Sequence, residues 1–470
     1  MTDAVAVLSR IPDWLTAPAD GKHVAAALRA GVPELASGEL ALVSCDPKLR
    51  MKTDRVGWSA AYELELARNG DTDDVRVVGS FVRPDPEQAG APSSRGRFPS
   101  LEWRGRFPGE GLELATEEAD TALPALGALT EPVHARALLE DAIRAGSRPD
   151  IAIRSVTVDV RRYKPGSRCT ILYHLDLEPG TDGPTSVVAK TYRGNKGGNA
   201  FAGMQALWEA GIVERGAVAL AEPLAYLADE RVLVQACVPE DTTLKTLARD
   251  AMADGSPGAV EALRRAVVKT ALGLAHLHGS GVVSGEAVTW ADERDDVAEL
   301  LDRLRPALPE VAAAAGRIVD GLGPVERTVE AEALAPSHRS FRPAQVLLAG
   351  DDIAFIDFDG LCMAEPALDV ALFRSALRDA GTRGYAERGA SGIGDLGATL
   401  EVLDGLCDDF LDAYGDAASV SPARIALWET LDVLTSVLHC WTKVKAERLP
   451  VRIALLERQL ERSASALAGS

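Results

Sequence analysis

The chain of 470 residues is short of positive charge: 50 Lys and Arg stand against 70 Asp and Glu, for a net charge of −20. A nucleic-acid binder needs a basic face to displace counterions from phosphates, so no nucleic-acid partner is expected. The acidity reads as a solubilising surface, with attraction of a cationic substrate as the lesser reading. Cysteine is also sparse. The six residues Cys45, Cys169, Cys237, Cys362, Cys407 and Cys440 are widely spaced and contain no C-x-x-C pair. That predicts reduced, buried thiols in a cytoplasmic protein rather than a disulfide framework. No apolar run approaches the ~18–20 residues of a membrane span, so no membrane partner is expected. The opening "MTDAVAVLSRIPDW" lacks the charged leader and apolar core of a signal peptide.

What is present is enough for more than one core. Hydrophobic residues make up 47% of the chain, and its length predicts two or three domains. Residues 1–145 differ in texture from the rest. They include the polar stretch "RPDPEQAGAPSSRGRFPS" (Arg83–Ser100), which predicts a mobile loop, and end on a predicted helix in "EPVHARALLEDAIRAGSRP" (Glu131–Pro149). Next, "VTVDVRRY", "CTILYHLDL" and "SVVAKTYR" alternate and carry β-branched residues, which predicts a three-stranded antiparallel meander. A helix in "NAFAGMQALWEAG" and a buried strand in "VLVQACVPE" follow, and beyond Thr243 the pattern is mostly helical. The expected division is 1–145, 146–240 and 241–470. There is also an internal echo. Lys52–Arg83 resembles Lys164–Arg193, with Tyr62 aligned to Tyr173 and, allowing a one-residue shift, Ser80 standing where the second copy has Lys190.

Three segments bear chemistry. In "VVAKTY", Lys190 sits on an apolar strand, where a buried ammonium is costly unless it meets an anion or snorkels to water. Glu209, with Glu214 as a second option, follows on a helix and could pair with Lys190. The stretch "SHRSFRPAQVLLAGDDIAFIDFDG" (Ser337–Gly360) reads as a loop, a strand, a turn and a strand that ends on an acid. Asp357 at that strand end is placed to hold Mg²⁺, Gln345 offers an amide oxygen to the same ion, and Asp359 is a second carboxylate. The two histidines of "LAHLHGSG", His276 and His278, lie on different helix faces and read as a helix end rather than a metal pair.

With "RYKPGSRCTILY", "VVAKTYR", "VLVQACVP", "LAHLHGSG", "HRSFRPAQVLL", "IDFDG" and "AEPALDVALF", the chain resembles the aminoglycoside-phosphotransferase family of small-molecule kinases, related to choline kinases, over roughly residues 155–380. The resemblance implies an α+β, bilobal kinase-like fold: an antiparallel-sheet small lobe, a mainly helical large lobe and, here, an extra N-terminal α/β region. It implies ATP and Mg²⁺ as cofactors, with Lys190 on phosphate and adenine near Gln235 and Val238. It also implies a small-molecule or peptide acceptor for the phosphoryl group.

One letter departs from the family's loop. Ser340 stands where the family carries the aspartate that orients and deprotonates the acceptor hydroxyl. A serine hydroxyl is no base near neutral pH. His338 is retained, either as a structural group or as a replacement base. Three readings therefore stand: a phosphotransferase with weakened or altered chemistry, a pseudokinase scaffold acting beside a partner enzyme, or a degenerate paralogue kept for interactions of its N-terminal region. The example for the second is a peptide-binding subunit next to a lyase in peptide natural-product dehydration.

Overall fold

The computed structural model describes residues 2–51, 57–68, 70–84, 90–117, 123–164, 166–213, 218–387 and 396–468. The fold is α+β: mainly antiparallel sheets in the first half, helices through most of the second. The residues form two compact units, one of Met1–Ala119, Ala291–Thr328 and Thr430–Ser470, the other of Asp120–Trp290 and Val329–Glu429. Two helical stretches distant in sequence thus cluster with the N-terminal residues. No helix among the described residues is long and apolar enough to cross a membrane. All six cysteines are free. Not all are buried as expected, since Cys237 is exposed and Cys45 half-buried.

The first unit is built on a six-stranded antiparallel sheet, in the spatial order Ala41–Met51, Trp58–Arg68, Asp71–Phe81, Leu112–Thr116, Arg104–Phe107 and Ser93–Arg95. Strict alternation in "WSAAYELELAR" buries Trp58, Ala60, Tyr62, Leu64 and Leu66 on one face and turns Ser59, Ala61 and Glu63 to the other. The loop expected over Arg83–Ser100 is in part ordered. Ser93–Arg95 pairs with Arg104–Phe107, and Phe98 is buried with its ring 4.9 Å from that of Trp103. A single anchoring ring outweighs the polar composition around it. Residues 85–89 of that stretch lie outside the described residues.

The second unit holds a five-stranded antiparallel sheet, ordered Pro223–Leu227, Val232–Ala236, Ser186–Tyr192, Arg168–Leu177 and Ile153–Lys164. The last three are the expected meander; the hairpin adds two strands beside the lysine strand. The helix Pro132–Gly146, N-capped by Glu131 accepting from His134 N–H at 2.8 Å, buries Leu139 and Ile143 against Cys169, Ile171, Tyr173, Val187 and Val234 of the sheet. Gly146 is required there, because a Cβ would stand 2.1 Å from the Leu224 carbonyl oxygen. Beyond the sheet come two smaller pairings that shape the functional loop: the hairpin Val346–Ala349 with Asp352–Phe355, and Ala335–Ser337 with Cys362–Ala364.

The internal echo is structural. Both sheets run three consecutive antiparallel strands, then a hairpin whose second strand pairs with the third. Tyr62 sits opposite Val77 and Tyr173 opposite Val187; Ser80 sits opposite Ser59 and Lys190 opposite Thr170, the same steps along each ladder. Each tyrosine is buried, and its hydroxyl donates to a carbonyl 44 residues upstream: Tyr62 to Pro18 at 3.0 Å, Tyr173 to Leu129 at 2.7 Å. Helices start shortly after each accepting residue, at Gly21 and at Pro132. Burial raises the pKa of both phenols, so each stays a donor.

Tyr62→Phe and Tyr173→Phe each remove one buried hydrogen bond and leave a carbonyl without its donor. Each variant is expected to lose about 1–2 kcal/mol in urea unfolding. A loss at one site with none at the other would contradict the equivalence of the two anchors.

Candidate functional site

The site begins with strand alternation. On Ser186–Tyr192, Val187 and Ala189 turn into the core beneath the helix Pro132–Gly146, so Val188, Lys190 and Tyr192 take the opposite face. The Lys190 side chain is only 12% exposed, which rules out snorkelling and obliges its ammonium to meet an anion. Nζ lies 2.8 Å from Asp357 Oδ1 and 3.8 Å from Asp359 Oδ1. Two further groups complete the cluster. Arg168 NH1 stands 3.6 Å from Asp359 Oδ2 and 3.9 Å from Asp357 Oδ2, and the Tyr192 hydroxyl donates to Asp359 Oδ1 at 2.7 Å.

Neither Arg168 nor Tyr192 was singled out from sequence. Tyr192 could have been: it is two residues past Lys190 and therefore on the same face. Arg168 faces Tyr192 across the ladder, a relation visible only once the hairpin register is fixed.

The acids are delivered by the hairpin. Val346 pairs with Phe355, and the Ile356 N–H donates to the Gln345 carbonyl at 3.0 Å, so Gln345 is held beside the turn that carries Asp357. Asp357 adopts the left-handed region at φ 73°, ψ 48°, a conformation that a short polar side chain tolerates better than most. Burial opposes its charge, but the Lys190 ammonium, the hydrogen bond from it and the charge of Arg168 prevail and bring the carboxyl down to about 2. Asp359 goes the other way: burial, together with the Asp357 charge, raises it against the pull of Lys190. Paired carboxylates with split tendencies are a setting in which a divalent cation relieves both. The Gln345 side-chain oxygen points the same way, being buried without a hydrogen-bond partner. Hard cations take such carboxylate and amide oxygens. Among the described residues no group of three or more His, Cys, Asp or Glu is arranged to hold a metal ion, so a cation here would rest on two carboxylates and one amide.

The loop with Ser340 is fixed from below. The His338 N–H donates to Asp369 Oδ2 at 2.5 Å, and that fully buried carboxylate also lies 3.3 Å from His278 Nε2, whose other nitrogen is 2.7 Å from the Tyr414 hydroxyl. Asp369, from "EPALD", is thus the anchor of the loop, and it too was not singled out from sequence. His338 Nε2 lies 2.9 Å from the Ile356 carbonyl, which can only accept. The proton is therefore on Nε2, and Nδ1 accepts from the Ser340 hydroxyl at 3.3 Å. Arg339 between them has φ 62°, a second strained residue in the loop. Ser340 borders the acid turn, since a Cβ on Gly360 would lie 4.0 Å from its Oγ.

The remaining candidates are placed as follows. Glu209 ends the helix Lys196–Glu209 and is exposed, and the ion pairs of Lys190 are with the two aspartates instead. Glu214 lies outside the described residues. Gln235 is buried in the strand beside Val188, its side-chain oxygen unpartnered. Val238 lines a cavity of about 550 Å³ with Leu347, Ile353 and Leu272, a cavity that includes none of the Lys190–Asp357 cluster.

No family model matches the sequence, and no curated protein does. Solved structures similar to the chain include a glucosamine kinase at 16% identity, covering 97% of this chain and 100% of that one with a TM-score of 0.49. Choline kinase LicA from Streptococcus pneumoniae is similar at 14% identity over 71% of this chain and 99% of that one, TM-score 0.43. A streptomycin–ATP–APH(2″)-IIa ternary complex is similar at 12% over 62% and 90%, TM-score 0.39.

Asp357→Asn should reveal the ion pair through pH. A carboxyl held below its usual 3.8 contributes stability that is full above that value and is lost as pH falls toward about 2. The gap in urea midpoint between wild type and Asp357→Asn is therefore expected to be widest near neutral pH and to narrow below about pH 4. A gap that stays constant across that window would contradict the assignment.

Proposed function

We propose that Lys190, Asp357, Asp359 and Gln345 hold Mg-ATP, and that the chain is a phosphotransferase whose transfer to a hydroxyl of a small molecule or peptide is weakened at Ser340. The observation that carries this reading is the contact of Lys190 with Asp357, a strand lysine and a turn acid far apart in sequence that share one largely buried site. Bound there, Mg-ATP supplies the transferable phosphoryl group. The chain's own part is electrostatic: Lys190 and Arg168 offer positive charge to phosphate oxygens, and Asp357, Asp359 and the Gln345 amide offer oxygens to the cation. Adenine beside Gln235 and Val238 belongs to the same proposal, as does a cytoplasmic setting, which accords with six free cysteines.

Ser340 limits the chemistry. Its one proton is given to His338 Nδ1, so the hydroxyl can accept a hydrogen bond from an alcohol but carries no charge to draw off that alcohol's proton. Loss of a general base costs on the order of 10²–10⁴-fold in rate. The same contact favours a second reading, a scaffold beside a partner enzyme such as a lyase. Here Ser340 and both nitrogens of His338 are satisfied within the loop, as suits a loop that only has to hold its shape.

Nucleotide affinity and turnover separate these readings. Lys190→Ala and Asp357→Ala should each weaken ATP binding on the order of tenfold or more, since each removes a charge-assisted contact. An unchanged affinity in Lys190→Ala would sink the nucleotide site. Ser340→Asp should raise ATP turnover on the order of 10²-fold if the chain is a weakened phosphotransferase. Binding without any rise assigns it to the scaffold reading.

A further inference from the structure

The two sheets share strand order, register and tyrosine anchor, so the face that carries Lys190 in the second has an exact counterpart in the first: the face of Ser59, Ala61, Val78 and Ser80. What covers the two faces differs. In the second unit the helix Lys196–Glu209 follows the lysine strand and packs on its face, Gly197 lying so close that a Cβ would stand 2.9 Å from the Tyr192 ring. In the first unit the chain between Phe81 and the hairpin shows, among its described residues, the three-residue strand Ser93–Arg95 and no helix. Among the described residues nothing covers this face, and its small side chains make a groove of about 790 Å³. That is within the range of small-ligand sites.

The wall of this groove is basic in a chain of net charge −20. Arg95 lies directly opposite Arg104, and Arg106 is two residues further on the same face. Like charges at directly paired positions repel, a cost that an anion between them removes. Among the described residues the three arginines share one ion pair, Arg106 Nε with Glu113 Oε1 at 3.5 Å. Arg104 otherwise donates to the carbonyls of Leu101 and Trp103, both at 2.7 Å. The deeper Arg76 is already matched, by Glu117 at 2.7 Å and Glu63 at 3.7 Å. The rim arginines thus hold surplus positive charge beside an open cavity.

We infer that this groove is a second ligand site, which binds a phosphate-bearing small molecule through Arg95, Arg104 and Arg106. It is the counterpart of the Lys190 face with the charge moved from the centre of the sheet to its edge. Phosphate suits the arginines because their planar forks match its oxygens in pairs. The inference stands on the first unit alone and does not require ATP at Lys190.

Calorimetric titration with inorganic pyrophosphate and, in a second arm, ADP tests it in the full chain. Wild type should bind pyrophosphate; Lys190→Ala should retain that binding; the double variant Arg104→Glu/Arg106→Glu should lose on the order of tenfold or more in affinity. Both arginines are exposed, so an unchanged melting temperature is expected and separates lost binding from lost folding. Tighter ADP than pyrophosphate binding in the Lys190→Ala background would identify a nucleotide as the phosphate's carrier; equal binding would identify the phosphate alone. The inference is overturned if wild type does not bind pyrophosphate. It is equally overturned if the arginine variant binds as wild type does, or if Lys190→Ala alone abolishes binding.

Discussion

An ammonium on a buried strand face must find negative charge, and in this chain it finds two carboxylates. The position of Lys190 follows from alternation on Ser186–Tyr192. The position of Asp357 follows from a hairpin whose register ties Ile356 to Gln345. The contact between them joins the five-stranded sheet to the acid turn. It also places Arg168, Tyr192 and Asp359 within the same few ångströms. Removing any one charge leaves the others buried and uncompensated, which makes the group act as a unit. The left-handed backbone at Asp357 and Arg339 is strain that such a unit can hold in place.

A second buried carboxylate governs the loop. Asp369 receives the backbone N–H of His338 and faces His278, so the loop's course is set independently of what occupies position 340. The serine at 340 takes no part in that anchoring. The side chain in question donates upward to an imidazole whose tautomer the Ile356 carbonyl has already fixed. The loop is held by Asp369 and the Ile356 carbonyl, while position 340 itself carries no charge. Fold and chemistry are separable here because different residues supply them.

Much of this was legible in the sequence, for identifiable reasons. Lys190 and Asp357 stood out because each is a charged residue ending or interrupting an apolar run, an anomaly that burial makes costly. The strand meander and the helix after Glu131 were legible from period and capping. Glu209 misled because nothing in a helical pattern says which glutamate faces a lysine, and this one ends exposed. Arg168 depended on hairpin register, and Asp369 on a loop-to-helix contact that no periodicity encodes. Phe98 shows the converse: one ring ordered a stretch whose composition predicted a loop. The echo between Lys52–Arg83 and Lys164–Arg193 was weak as letters, yet ladder register and two tyrosine anchors make it firm as structure. Sheets retain register under substitutions that erase sequence likeness, because a one-residue slip would turn every core side chain to the wrong face.

The central claim is that the Lys190–Asp357 cluster is built for a nucleotide carrying a divalent cation. Its most direct test is calorimetric titration of the wild-type chain with ATP in the presence and absence of Mg²⁺. The account predicts binding at millimolar ATP or below, tighter with Mg²⁺ because the cation engages Asp357, Asp359 and Gln345. No detectable binding at millimolar ATP under either condition would contradict it.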